Sequence, residues 1–140
     1  MTFNGGLESA STYQSGTGSD PCGATGNNAA QLSGYGQVPY GDEAALKEDV
    51  ATFGPTATSI DASHYSFQLY SAGVYDEPRC SSNSLDHDVL VVGYGVENGK
   101  DYWLVKNSWG TGWGLSGYIK MSRNANNQCG IATAAIYAVI

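Results

Sequence analysis

The chain has 140 residues, a formal net charge of −7 and only six Lys and Arg, which are scattered along it. Binding to nucleic acid or to an anionic membrane surface needs clustered cations, so neither is expected as a partner. No apolar run approaches the roughly eighteen residues of a membrane span, and Met1-Thr2-Phe3-Asn4 lacks the basic and apolar regions of a signal peptide, so no targeting segment is expected in the chain itself. With 41% apolar and 14% charged residues it can bury about two thirds of its unfolded surface in a compact core. Nineteen glycines, and ten tyrosines against three phenylalanines, fit a loop-rich chain with strands better than a helical bundle.

Residues 1–36 are Gly, Ser, Thr and Asn around few apolar anchors, with pure loop chemistry over residues 15–21. Little regular structure is expected there, and either mobility or a borrowed partner surface. Residues 42–53 predict a helix: Asp42 can cap it, Glu43 and Lys47 are spaced for an ion pair, Leu46, Val50 and Phe53 fall on one face, and Gly54-Pro55 ends it. A strand over 56–60, one helical turn over 67–70 and a short extended approach at 73–75 follow. Residues 89–92 and 102–105 predict two antiparallel strands with Asn98-Gly99 as the turn, and 118–121 and 131–140 predict further extended segments. The fold class expected is α+β: an antiparallel, barrel-like sheet with one helix and short helical turns. His64, with no second histidine or cysteine at ligand spacing, is read as a surface residue; no Cys-x-x-Cys occurs, and neither a metal nor any other cofactor is implied.

His87 precedes the first strand of the predicted hairpin and Asn107 follows the second. Folding the hairpin brings its outer ends together, so residues twenty apart become neighbours. An imidazole can take or give a proton near neutrality, whereas an amide can only orient and hydrogen-bond, so the pair reads as a base and its orienter. Trp109 and Trp113, set among Gly110, Gly112 and Gly114, can shield that bond from water. Taken alone, a histidine at a strand start is more often a solvated or internally satisfied structural residue, and Asn-Ser-Trp-Gly alone fits a turn.

The assembly carries more. The string LDHDVLVVGYGVENGKDYWLVKNSWGTGW over residues 85–113, with NQCGIA at 127–132, resembles the papain family of cysteine peptidases, and its cathepsin L branch most closely. A looser likeness extends back through Tyr13 and Cys22 to Asn4-Gly5-Gly6-Leu7. The resemblance implies the right-hand domain of the papain-like fold for residues 37–140, with 1–36 a remnant of the left-hand domain. It makes His87 the catalytic imidazole, Asn107 the amide that fixes its ring, and Trp109 the indole covering the bond on the leaving-group side. Leu85, Asp86, Ala134 and Ser59 match positions that line or rim the pocket for the substrate's second residue; packing alone would equally account for Leu85 and Ala134. Asp88 departs from the Gly or Ala usual there, and is read either as a carboxylate crowding that pocket beside the imidazole or as a solvated surface residue.

The resemblance further implies a Cys80–Cys129 disulfide, hence an oxidising compartment, lysosomal or extracellular. It leaves Cys22 without its family partner. The family's nucleophile lies in a Cys-Gly-Ser-Cys-Trp-like segment, which does not occur in these 140 residues, so the chain is expected to be inactive alone and to need completion by an amino-terminal part. The partners implied are a peptide or protein substrate, cystatin-like inhibitors, and a second copy through the bare domain face. A non-catalytic papain-like module acting in binding or assembly is the alternative reading.

Overall fold

The computed structural model describes residues 6–13, 21 and 23–140. The expectations placed on Asn4, Gly5, the loop at 15–20 and Cys22 lie outside the described residues. The chain forms two compact units, residues 1–36 with 138–140 and residues 37–137.

In the first unit, β1 (Gly6–Glu8) pairs antiparallel with β2 (Asn28–Gln31). Gly6 is required at this crossing, because a Cβ there would meet the Ala30 carbonyl oxygen at 2.1 Å. The Glu8 carboxylate accepts from the Gly26 amide at 3.0 Å and from the Thr25 backbone and hydroxyl, which ties the end of β1 to the residues just before β2. A third strand, β3 (Gly34–Gln37), follows in sequence. The described part of this segment is therefore more regular than its composition suggests. Its pairing is made by backbone groups, which Gly- and Asn-rich stretches supply as well as any other.

In the second unit, α1 (Glu43–Phe53) starts as expected: the Asp42 carboxylate accepts from the Ala44 and Ala45 amides at 3.0 and 2.9 Å. Leu46 and Val50 are buried, and Gly54 ends the helix at φ +92°, a value that favours glycine. The expected Glu43–Lys47 pair does not form. The Glu43 carboxylate instead accepts from the Trp103 indole (2.9 Å) and the backbone amides of Asn124 and Asn127 (both 2.8 Å), while Lys47 lies over the Tyr94 ring. A buried indole N–H and two loop amides need an acceptor more than an exposed lysine needs a partner.

The sheet of this unit runs from the start of β9 (Ile136–Val139), which joins through Ile136 and Tyr137, to β4 (Thr56–Ile60), β6 (His87–Glu97), β7 (Lys100–Lys106), β8 (Tyr118–Ser122) and β5 (Val74–Tyr75). Neighbours are antiparallel except β5, which lies parallel to β8. The fold class is α+β, but the sheet is open, with β5 at an edge, and does not close into the expected barrel. Burial alternates with period two: Thr56, Thr58 and Ile60, then Val89 and Val91, Trp103 and Val105, Ile119 and Met121 all face the core. A one-turn helix, α2 (Tyr65–Gln68), drops Phe67 into that core. His64 stands at its N-cap position without a side-chain cap and is half-buried with Nε2 3.6 Å from Asp61, rather than free on the surface.

A disulfide joins Cys80 to Cys129, 49 residues apart. Closing a loop of that size stabilises by about 4 kcal/mol on the chain-entropy argument. Asp61, His64 and Cys80 lie within ligand distance of one another, but the Cys80 sulfur is committed to the disulfide, so the trio has no thiolate to offer a metal.

Beside the disulfide, the buried Glu77 carboxylate accepts from Arg79 Nε (2.9 Å), Nη2 (3.1 Å) and N (3.2 Å) and from the Ser66 hydroxyl (2.9 Å). Arg79 chiefly, then Ser66, hold its pKa down to about 2 from 4.5. A depressed carboxylate pKa contributes stability that is present above the unfolded value and is lost as pH falls through the folded one. Glu77→Gln should therefore lower the thermal midpoint at pH 5 to 7, and its gap from the parent should narrow between pH 4.5 and pH 2. A gap that stays constant over that range in a pH series of thermal melts would count against this account.

Candidate active site

β6 begins at His87 and β7 ends at Lys106, one residue before Asn107. The ladder pairs Glu97 with Lys100 and Gly93 with Leu104, then shifts by one residue, so that Val91 pairs with Val105 and Leu90 with Lys106. Asn98 and Gly99 take φ +50° and +77°, the left-handed turn that an Asn-Gly hairpin requires. The expected juxtaposition is present: His87 Nε2 lies 2.7 Å from Asn107 Oδ1.

The same oxygen accepts the Ser108 backbone N–H at 2.7 Å. An N–H cannot donate to an amide nitrogen, so this second bond fixes Asn107 with its oxygen toward the imidazole. His87 Nε2 must then carry the hydrogen, which leaves Nδ1 as the nitrogen that accepts a proton in the neutral ring. Asn107 Nδ2 is buried without a partner among the described residues, and Asn107 as a whole is 7% exposed.

Aromatic rings enclose the bond. Trp109 lies 5.0 Å from the imidazole, centroid to centroid, and is itself packed on Phe67 (5.5 Å) and Trp113 (5.4 Å); Phe67 reaches the imidazole at 6.3 Å. Trp113 is pinned by its indole N–H on the Gln68 carbonyl, 2.9 Å. The loop bearing both tryptophans closes through Asn107 N on the Gly117 carbonyl, 2.9 Å. Gly114 permits this path, with φ +55° and no room for a Cβ, which would meet the Tyr118 carbonyl oxygen at 2.5 Å. Phe67 was not singled out by the sequence; one aromatic residue in a polar stretch gives no local signal of its role. Trp109 remains 43% exposed, so one side of the site is open to a ligand.

The other candidate residues divide by strand face. Asp88 points away from the core, and its Oδ1 accepts from Ser59 Oγ at 2.6 Å across the β4–β6 pair. The alternation of β6 places it on the opposite face from His87. Asp86 Oδ1 accepts from the Ala62 amide at 2.8 Å. Leu85 is half-buried against Gly130, and Ala134 is half-buried nearby in sequence to the disulfide turn at Gln128–Gly130.

Residues 1–139 match the sequence family described as papain family cysteine protease. The chain belongs to that family. It is 55% identical over 139 residues to a cathepsin L of Sarcophaga peregrina, covering 98% of this chain and 41% of that protein. Among solved structures, the digestive procathepsin L2 proteinase from the larval midgut of Tenebrio molitor superposes with a TM-score of 0.88 at 50% identity, over 99% of this chain and 44% of that one. The bromelain protease of Ananas comosus, solved in complex with the E64 inhibitor, gives 0.86 at 37% identity, over 99% and 65%. The chain thus spans less than half the length of its cathepsin L relatives.

The hydrogen-bond argument has a direct test. At a pH where His87 is neutral, its Nε2 should show the protonated, pyrrole-type nitrogen-15 signal and Nδ1 the pyridine-type signal. An Nδ1–H tautomer in the spectrum would refute the assignment.

Proposed function

We infer that this chain supplies the general base His87 and the orienting amide Asn107 of a cathepsin L-like cysteine endopeptidase. The observation that supports this is the 2.7 Å bond between them, held in one orientation by Ser108 N–H and roofed by Trp109. In this reading a cysteine thiolate pairs with the imidazolium through Nδ1 and attacks the peptide carbonyl. The Nδ1 proton passes to the leaving amine, the peptide bond breaks, and water then hydrolyses the thioester with His87 as base. Asn107 keeps the ring aimed through each transfer, and the indole keeps water off the orienting bond.

Cys80 and Cys129 are joined to each other, and no Cys-Gly-Ser-Cys-Trp-like segment occurs in the 140 residues. The nucleophile in this proposal therefore comes from a segment outside them, and these residues alone do not turn over peptides. Residues 1–36 are the part that belongs with the left-hand domain, and 37–140 form the right-hand one. In this reading Leu85, Asp86 and Ala134 border the substrate, while Asp88 and Ser59, bonded to each other on the strand face away from His87, meet it only at the rim, where the Asp88 carboxylate favours a cationic side chain. Partners are peptide or protein substrates and cystatin-like inhibitors, and self-association is expected of a right-hand domain left bare. The disulfide supports a lysosomal or extracellular location.

In the protein bearing the nucleophile segment, His87→Ala should lower kcat/KM on a fluorogenic peptide by about 10²–10⁴-fold. The 140-residue chain by itself should show no thiol-dependent turnover. Parent-like activity in His87→Ala, or thiol-dependent turnover by the isolated chain, would overturn the proposal.

A further inference from the structure

A concavity of about 500 Å³ lies in the second unit, bordered by Tyr40, Glu43, Asn83, Asn124, Asn126 and Asn127 and not by His87 or its aromatic shell. That volume falls within the range of about 300–1,000 Å³ typical of small-molecule sites. Its lining is unusual in three ways. No lysine or arginine borders it among the described residues, and its one carboxylate, Glu43, already has both oxygens engaged by the three donors described above. The nearby start of α1 is occupied by the Asp42 carboxylate, so it offers no anion site. The groups left free to hydrogen-bond a ligand are uncharged.

Those uncharged groups are amides, the Ser82 hydroxyl, whose proton is already given to the Asn127 carbonyl, and one aromatic face. Asn126 has no hydrogen-bond partner among the described residues, and Asn124 uses its nitrogen on Asp101 Oδ2 (2.6 Å) while its side-chain oxygen stays free. Tyr40 is 69% exposed, yet its hydroxyl is tied to Asn83 Oδ1, which holds the ring at the rim. Asn124, Asn126 and Asn127 all sit at positive φ, +60°, +56° and +55°. Asparagine enters that region more readily than other non-glycine residues. The Asn127 carboxamide is spent internally, donating to Thr133 Oγ1 and accepting from Ala132 N, which leaves Asn124 and Asn126 to meet a ligand. Glu43 holds two of the three in place through their backbone N–H groups.

We propose that this concavity binds a neutral saccharide. A hydroxyl both donates and accepts, as a carboxamide does, so amides match a polyhydroxylated ring without needing charge. The apolar C–H face of a sugar packs on an exposed, preoriented aromatic ring, as Tyr40 is held. An anionic glycan finds no cation there and meets Glu43. A flat protein partner would find a concave, amide-lined surface with a single large apolar side chain at its edge.

The experiment is titration of the intact protein with maltotriose and with triacetylchitotriose, read by calorimetry and by amide chemical shifts. At least one should bind, with shifts centred on residues 40–43 and 124–127. Tyr40→Ala should raise the dissociation constant about tenfold, and Asn126→Gly, which keeps the left-handed backbone and removes only the carboxamide, about threefold. If Tyr40→Ala lowers the melting temperature, Asn126→Gly alone decides. Absence of binding by both trisaccharides, binding unchanged in Asn126→Gly, or binding only of a sulfated oligosaccharide would overturn the proposal.

Discussion

One extra residue in a strand decides whether His87 and Asn107 meet at all. Between Val91 and Gly93 the β6–β7 ladder slips by one, leaving Val92 without a cross-strand partner. Above the slip, partners such as Gly93 and Leu104 follow one register; below it, Leu90 faces Lys106, and continuing that register sets Val89 against Asn107. Because side chains alternate across a strand, Asn107 then shares a face with Val89 and His87. In the unslipped register Asn107 would sit opposite Leu90 and share the other face, with Asp88. The bulge thus sets which side of the sheet receives the amide, and the 2.7 Å bond to the imidazole depends on it.

The Glu43 carboxylate does similar work at the other end of the core. It joins the first turn of α1 to the indole of β7 and to the loop that leads into the disulfide turn. That loop carries three asparagines in left-handed conformations, which a freely moving loop would relax. Two of its amide donors are spoken for by one helix residue, so the strained conformation and the position of the helix support each other. The Asp61 carboxylate plays a comparable part between β4 and the disulfide: it accepts from the Ser63 amide and hydroxyl and the Ser81 amide, and despite opposing desolvation, which is the largest influence, these bonds hold its pKa below the usual value.

What the sequence disclosed was local. The α1 cap, its terminating glycine and the Asn98-Gly99 turn are each written in a few neighbouring residues; turn and strand length bring His87 and Asn107 to the same end of the hairpin, whereas the bulge that sets them on one face carries no local signal. Resemblance added the disulfide. The rest depends on partners far along the chain. Glu43 meets groups 60 to 84 residues away, and Asp88 meets Ser59 across a strand pair, and no spacing rule encodes either. The parallel pairing of the two-residue β5 is invisible for the same reason. The barrel expectation failed because alternation reports which face of a strand is buried, not whether the first and last strands meet.

The Cys80–Cys129 bridge encloses 81–128, the span holding β6, β7, β8, His87, Asn107 and both tryptophans of the aromatic shell. A single backbone cut anywhere in that span opens a ring instead of severing the molecule. Both new ends stay covalently attached, and the seven-residue strand β7 is still hydrogen-bonded on both sides, to β6 and to β8. A nicked molecule can thus reclose on itself as an intramolecular event, at an effective concentration no separate fragment reaches. In surroundings rich in peptidases, damage to an exposed turn such as Asn98-Gly99 is therefore survivable for the span inside the bridge, whereas a cut on either side of the bridge is not held together by it.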